Sequence, residues 1–429
     1  MSIAIILVGL LLALMFIQVP IGFALVISSA VAFTAYNVPI HILAQSLYTG
    51  VSSFTWIAIP MFIFAGNLMS RGGLSRRLVN FSEAILGTIR GGVGMTTIFA
   101  SAFFASISGA SPATCAAIGS VMVPEMKQRN YPEKFAAGIA ASGGVLGVLI
   151  PPSISFVAYG VLAQVSVAKL FLAGIVPGIL TAMVMVVVTY LLARKYLKGD
   201  AGNSSKRFSF RQVFQTGCQG FFSLMAPVLI LGGIYMGIFT PTESAVVAVF
   251  YGLAVGLFYR ELDWEGFWEC VRATVATTGT LAIIWAAAAS YSYILTISNV
   301  AQNTVIAFQG ISSSPIVVVL LLSAIVVVLG CFINSMGMII LLTPIFVPIL
   351  KSVGFDPMVF GILFVLLCEI GYLTPPVGTN LFVARALVQK ADVLEIASVC
   401  IPYMVCLYAM MLFFLFFPDV VSFIPNLMD

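Results

Sequence analysis

Charge is scarce in this chain. Asp, Glu, Lys and Arg make up 8% of 429 residues, against about 25% in an ordinary soluble domain. So few charges cannot cover the surface of a water-soluble fold of this length. Histidine occurs once, as His41 in a stretch read as a loop, which leaves no Ser/His/Asp set for hydrolysis and no imidazole cluster for a metal. GxxxxGK[ST] is absent, so the chain has no phosphate cradle of that kind for ATP. No CxxC pair occurs; Cys115, Cys218, Cys270, Cys331, Cys368, Cys400 and Cys406 are scattered through apolar stretches and read as small hydrophobes. Apolar/polar alternation of period two is missing, which excludes a membrane barrel. A charged stretch ahead of the first apolar run is missing too, and that run, Ile3 to Tyr36, is too long for a cleavable signal.

What is abundant is hydrocarbon: 61% of the residues are hydrophobic, in blocks long enough to cross a core of roughly 30 Å as helices. Backbone groups in lipid must pair within their own segment, so the blocks predict an all-α polytopic membrane protein embedded in membrane lipid. The first block would be about 50 Å long as one helix; Gln18-Val19-Pro20-Ile21-Gly22 suggests two short crossings, with one tilted helix as the alternative. Further blocks cover Phe54–Met69, Gly92–Met126, Phe135–Ala163, Leu170–Leu192, Phe221–Phe239, Ser244–Tyr259, Thr274–Ile297, Pro315–Leu350, Met358–Val388 and Ser398–Phe417. Arg71–Arg90 and Glu261–Arg272 mix charged and apolar residues and read as arms at the interface.

The net charge of +4, from 19 Lys+Arg and 15 Asp+Glu, falls mostly at segment ends and reports orientation rather than a nucleic-acid partner. Arg194, Lys195, Lys198, Lys206, Arg207 and Arg211 place loop 194–211 in the cytoplasm. Asn37–Ser53 and Ser298–Ser314 hold no Lys or Arg and are expected to be outward loops. Gly92–Met126 has basic residues before and after it and a helix-breaking centre, Ser106-Ile107-Ser108-Gly109-Ala110-Ser111-Pro112. It reads as a re-entrant hairpin from the cytoplasm. Pro315–Leu350, centred on Cys331-Phe332-Ile333-Asn334-Ser335-Met336-Gly337, has Lys351 after it and no basic flank before it, so it enters from outside.

Shifting the chain on itself aligns these regions without a gap from Ser111 to Ala397. The shift is 348 − 124 = 224: Pro124 falls on Pro348, Lys127 on Lys351, Gly147 on Gly371, and Pro151-Pro152 on Pro375-Pro376. Opposite entry makes the copies an inverted-topology repeat, an arrangement that puts sites near the midplane at discontinuous helices. The expected organisation is scaffold helices and first arm at 1–90, transport repeat 1 at 91–192 (hairpin 91–126, broken helix 135–163) and a cytoplasmic loop at 193–217. Scaffold helices and second arm follow at 218–314, then transport repeat 2 at 315–417 (hairpin 315–350, broken helix 357–388) and a periplasmic tail at 418–429.

Proline removes a backbone donor and frees a carbonyl one turn earlier. Glycines before each Pro-Pro leave carbonyls that a hard cation can satisfy, with hydroxyl and amide oxygens completing the shell. Candidate Na⁺ ligands are Ser106, Ser108, Gly144, Gly147 and Pro151 in the first half, and Asn334, Ser335, Gly337, Gly371 and Thr374 in the second. Ser153, Ser155, Thr379 and Asn380 open the half-helices after the breaks and could contact an anionic substrate at unpaired N–H groups; each could equally be a helix cap. Of the charges within apolar runs, Glu369 is open to a proton or ion role or to a structural hydrogen bond, Arg385 to snorkelling and Glu243 to capping.

Gly237-Ile238-Phe239-Thr240-Pro241-Thr242-Glu243-Ser244, Ser108-Gly109-Ala110-Ser111-Pro112-Ala113-Thr114, Leu149-Ile150-Pro151-Pro152-Ser153 and Leu373-Thr374-Pro375-Pro376-Val377-Gly378-Thr379-Asn380 together resemble the large membrane subunit of tripartite ATP-independent periplasmic (TRAP) transporters. The resemblance spans essentially the whole chain; Ser244 stands where that family most often has Ala. It implies an inner-membrane importer, not an enzyme, that works with a small four-helix membrane subunit and a periplasmic substrate-binding protein. It further implies Na⁺ coupling, an elevator motion of hairpins and broken helices against a scaffold, and carboxylate substrates such as sialic acid or C4-dicarboxylates. With no small-subunit extension in the chain, that partner is expected to be a separate polypeptide. A stand-alone Na⁺/anion symporter of the divalent-anion superfamily type is the alternative, and a passive channel a third reading.

Overall fold

The structure is a computed structural model that describes residues 5–197 and 208–427, all helix and connection among those residues. A π-helical turn at Ile5–Gly9 leads into α1 (Leu10–Phe16) and α2 (Ile21–Ala35). The chain breaks between them at Gln18, in left-handed backbone (φ 66°), so the first block is two helices rather than one. Next come α3 (Ile40–Val51), α4 (Ala58–Arg71) after a 3-10 turn at Phe54–Ile57, and α5 (Leu74–Leu86). Asn37–Ser53 is therefore no loop, and His41 lies exposed on α3. An apolar face at helical spacing, with Leu43 and Ser46 buried, makes α3 a helix despite its polar residues.

The first hairpin is α6 (Gly92–Ser108) and α7 (Ser111–Gln128); the broken helix is α8 (Glu133–Gly144), α9 (Leu146–Leu149) and α10 (Ile154–Ala163), followed by α11 (Val167–Tyr196). The 193–217 stretch departs from the expected loop, because α11 runs to Tyr196 and α12 (Phe210–Gln219) is helical; Lys198, Lys206 and Arg207 lie outside the described residues. Then come α13 (Phe221–Tyr235), α14 (Pro241–Phe258), α15 (Trp264–Ile297) and α16 (Val300–Ile311). Glu261–Arg272 and Thr274–Ile297 are thus not a separate arm and crossing. The run holds no Pro, and Asp263 caps its start by accepting from Gly266 N at 2.9 Å, so nothing interrupts a 34-residue helix. Ser298–Ser314 is likewise helical rather than loop.

The second hairpin is α17 (Pro315–Gly330) and α18 (Ser335–Ser352), the second broken helix α19 (Pro357–Tyr372) and α20 (Thr379–Ala386), and α21 (Val393–Phe416) completes the repeat. The 418–429 tail is folded at its start: α22 (Pro418–Ser422) packs on α11, α19 and α21, and residues 428–429 lie outside the described residues.

The 224-residue shift recurs as a match of helix bounds. Adding 224 to 111–128 gives 335–352, the bounds of α18, and 154–163 becomes 378–387, within a residue of α20 at each end. Shifting 264–297 back by 224 gives 40–73, so the continuous α15 corresponds to the pair α3 and α4, which bends by 53°. The halves interlock: α20 packs on α7 and α8, while α10 packs on α18. Each hairpin is thereby braced by the other half's second half-helix. Close helix approach depends on small residues; an atom added as Cβ at Gly371 would stand 2.6 Å from the Gly330 carbonyl oxygen.

Candidate functional site

The first hairpin turns at Gly109, in left-handed backbone (φ 61°) that favours glycine. Beyond the turn, Ala110 stands at the N-cap of α7 and offers no side-chain hydrogen bond to the helix. The first-turn N–H groups of α7 are left to other partners. Opposite the tip, the chain past Pro151-Pro152 returns a hydrogen bond, Ile154 N donating to Gly109 O at 3.1 Å. The second half repeats this contact: Val377 N donates to Cys331 O at 3.3 Å. Both Pro-Pro peptide bonds are cis.

A cavity of about 560 Å³ opens at the first tip. Ser108 to Ala113 form one wall and Ser155 another; Asn67 and Ser70 of α4 and Thr277 of α15 face them, with Met336 and Tyr372 reaching in from the second half. No charged side chain lines it. Asn67, Ser70, Ala117 and Ala273 also line a second cavity of about 490 Å³ that extends to Arg71, Arg76, Glu261 and Glu269. The central space therefore continues toward the basic end of α4.

Of the first-half residues singled out from sequence, Ser106 donates to Phe103 O at 2.6 Å, and Ser108 shares a 2.6 Å hydrogen bond with Thr114 Oγ1. Gly147 abuts the tip so closely that a Cβ there would lie 2.5 Å from Thr114 Oγ1 and 2.6 Å from Ala110 O. Gly144 sits against Cys115 and Asn380, and Pro151 is buried at the break. Ser108 and Gly147 thus meet at Thr114, Gly144 lies on the neighbouring turn of the same break, and Ser106 turns back onto its own helix. Ser153 caps α10, its Oγ accepting from Phe156 N at 3.4 Å, while Ser155 faces the cavity.

In the second half, Asn334 is exposed and caps α18, accepting from Gly337 N at 2.8 Å. Thr374 donates to Ile370 O at 2.7 Å. Ser335 donates to Oε1 of the wholly buried Glu369 at 3.1 Å. Asn380 turns away from the cavity and donates to Ser111 Oγ at 2.9 Å and Ala141 O at 3.1 Å; Thr379 is half-buried beside it. Gly337 packs against Ile21 of α2 and Gly371 against Gly330.

Outside the core, Glu243 is exposed and completes a capping box with Thr240. Arg385 donates to Val388 O at 2.9 Å at its helix end. Cys115, Cys270, Cys368, Cys400 and Cys406 are buried, as small hydrophobes should be, Cys331 is half-buried, and Cys218 is exposed on α12.

Sequence reading missed Asn67, which donates to Thr274 Oγ1 at 3.0 Å and ties α4 to α15 beside the cavity. A lone Asn in the apolar block Phe54–Met69 was the signal available. Ser70, Thr277 and Tyr372 carried none, because their lining role depends on how α4, α15 and α19 are placed.

Paired hairpins and interlocked broken helices around a mainly apolar cavity, edged by Asn67, Ser70, Ser108, Ser155 and Thr277, define a membrane transporter. The chain matches the family model "Tripartite ATP-independent periplasmic transporter, DctM component" over residues 8–420. It belongs to that family, the large inner-membrane permease subunits of TRAP transporters. The sialic acid TRAP transporter large permease of Vibrio cholerae is 33% identical over 97% of this chain and 97% of its own length. The C4-dicarboxylate TRAP transporter large permease of Pseudomonas aeruginosa is 37% identical over 90% of this chain and 89% of its own. The isethionate TRAP transporter permease DctMQ of Oleidesulfovibrio alaskensis is 40% identical over 95% of this chain, which spans 64% of that relative's length. In fold, the chain resembles the YdaH transporter of Alcanivorax borkumensis, with TM-score 0.62, 15% identity and 88% of each chain covered. The family is one of secondary transporters, not enzymes.

Proposed function

We propose that this chain translocates small organic acids, carboxylates such as sialic acid or C4-dicarboxylates among them, inward with Na⁺, together with a small four-helix membrane subunit and a periplasmic binding protein. The observation that carries the reading is the uncharged cavity at the uncapped N-terminus of α7. An anion is stabilised there by first-turn N–H groups and the helix dipole, with the Ser155 hydroxyl as a donor. No cationic side chain holds the anion, so release is not opposed by an ion pair. Relatives named for sialic acid, a C4-dicarboxylate and isethionate are all permeases for anionic acids, which fits this chemistry.

The hairpin-tip oxygens suit a coupling cation. The Ser106 and Thr374 hydroxyls commit their single protons to backbone carbonyls, so each presents only lone pairs to its surroundings. Gly147 and Gly371 bring tip and break close enough for carbonyls of both to share one ion. The hairpins and broken helices move as one block against α2–α4 and α13–α15, carrying acid and Na⁺ together. The present cavity, continuous with the space beside Arg71 and Arg76, is the cytoplasm-facing end of that motion.

Reconstitution into proteoliposomes tests this. Uptake that needs a Na⁺ gradient, the small subunit and a binding protein is the expected result. Uptake by this chain alone would make it a self-sufficient symporter, and gradient-independent, non-saturating flux would make it a channel.

A further inference from the structure

Glu369 is wholly buried two residues before Gly371. Its Oε1 accepts from Ser335 Oγ at 3.1 Å, and the Ser111 hydroxyl lies beside the same carboxyl. Oε2 is buried and has no partner. Ser111 and Ser335 are equivalent residues of the two halves (111 + 224 = 335), so both hairpin tips converge on one acid. That acid exists in one half only: subtracting 224 from 369 gives Val145.

Asn380 joins the cluster through Ser111. Its amide nitrogen donates to Ser111 Oγ and to the Ala141 carbonyl. A carbonyl can only accept, so this fixes the amide orientation and leaves Oδ1 as the second buried oxygen with no partner. No ion pair among the described residues reaches Glu369. Glu369 Oε2 and Asn380 Oδ1 are acceptors that the chain supplies with no donor. A carboxyl so deep in an apolar block carries either a proton or a cation, and only a cation has more than one coordination position to fill.

We propose that Glu369 and Asn380, with the Ser111 and Ser335 hydroxyls, hold a monovalent metal cation between the two halves, separate from the Pro-Pro break carbonyls. The inference rests on the cation-coupled reading above and adds a site whose own negative charge neutralises its ion. An ion held there adds no net charge to the moving block, whereas one held by carbonyls and hydroxyls adds a full unit.

The test compares wild type with Glu369→Gln, which keeps the shape and removes the charge. Both are purified with the small subunit, and ²²Na⁺ bound per chain is counted; the Na⁺:substrate ratio is then taken from reversal potentials in proteoliposomes with the binding protein. One Na⁺ fewer per chain and per cycle is expected in Glu369→Gln. An unchanged count overturns the site and leaves the transport reading intact, while wild type that binds no Na⁺ overturns both. Asn380→Ala retains the charge and guards against misfolding of the first variant: it weakens one Na⁺ about tenfold, and unaltered Na⁺ affinity in a folded Asn380→Ala chain also overturns the proposal.

Discussion

The first hairpin turns through Gly109 and leaves the start of α7 without a side-chain cap; the second turns through Cys331–Ile333 and closes α18 with Asn334. The helices correspond in length and place, yet only the first tip forms a wall of the central cavity. The second contributes Met336 from behind its cap and otherwise packs Gly337 on Ile21 of α2. The internal repeat supplies two frames with matched breaks. Local capping then leaves one frame without a side-chain cap and closes the other on itself.

The largest effect should come from filling the contact between tip and break. Gly147→Val places atoms where Thr114 Oγ1 and Ala110 O already stand, and a shift of about 1 Å at such a site costs on the order of 100-fold in rate. Uptake at saturating substrate reads it, and near-normal uptake would remove this contact from the account. Next, Ser155→Ala should raise KM about tenfold through the lost donor, while Thr379→Ala, off the cavity wall, should leave KM alone. Equal effects would erase the asymmetry between the halves.

Moving the cap sharpens the comparison further. Asn334→Ala should lower stability by about 1 kcal/mol, visible in Tm with substrate affinity little changed. Ala110→Asp should stabilise α7 while weakening uptake of the acid, because its carboxylate takes the N–H groups and repels the substrate.

The smallest effect concerns Glu133, which joins the end of the first hairpin to the α20–α21 connection. It accepts from Lys127 Nζ at 2.9 Å and from the Gln389 and Lys390 amides. The Lys127 contact leads in holding its carboxyl down at about 2. A depressed folded pKa gives stability that is full above the unfolded value near 4 and lost as pH falls through about 2. Between pH 5 and 8 the link should therefore be constant, and Glu133→Gln should lower Tm slightly and evenly across that window. The exposed, screened pair makes the change small.

Much of this arrangement was legible because prolines and glycines are rigid punctuation. Pro151-Pro152, Pro375-Pro376 and the Ser/Gly tips mark the breaks whatever packs around them. Flanking Lys and Arg differ between the hairpins, which is what predicts opposite entry sides. Helices α3 and α16 look like loops in the sequence because they lack both charge and a long apolar run; packing on α15 and α18 respectively, not hydropathy, makes them helices. The joining of Glu261–Arg272 to the next crossing was hidden because its charges resemble those of a surface arm. Asn380 could be located after its break from sequence, but whether it faced the cavity or Ser111 depended on α20 crossing to α7 of the other half.

Accessibility of positions 127 and 351 most directly tests the inverted pairing on which the shared site depends. Lys127→Cys and Lys351→Cys would be made singly in a Cys218→Ser chain, since Cys218 is the exposed natural thiol among the described residues. An impermeant maleimide added to sealed vesicles of known orientation should label one from the cytoplasmic face and the other from the periplasmic face. Labelling of both from one face would contradict the arrangement.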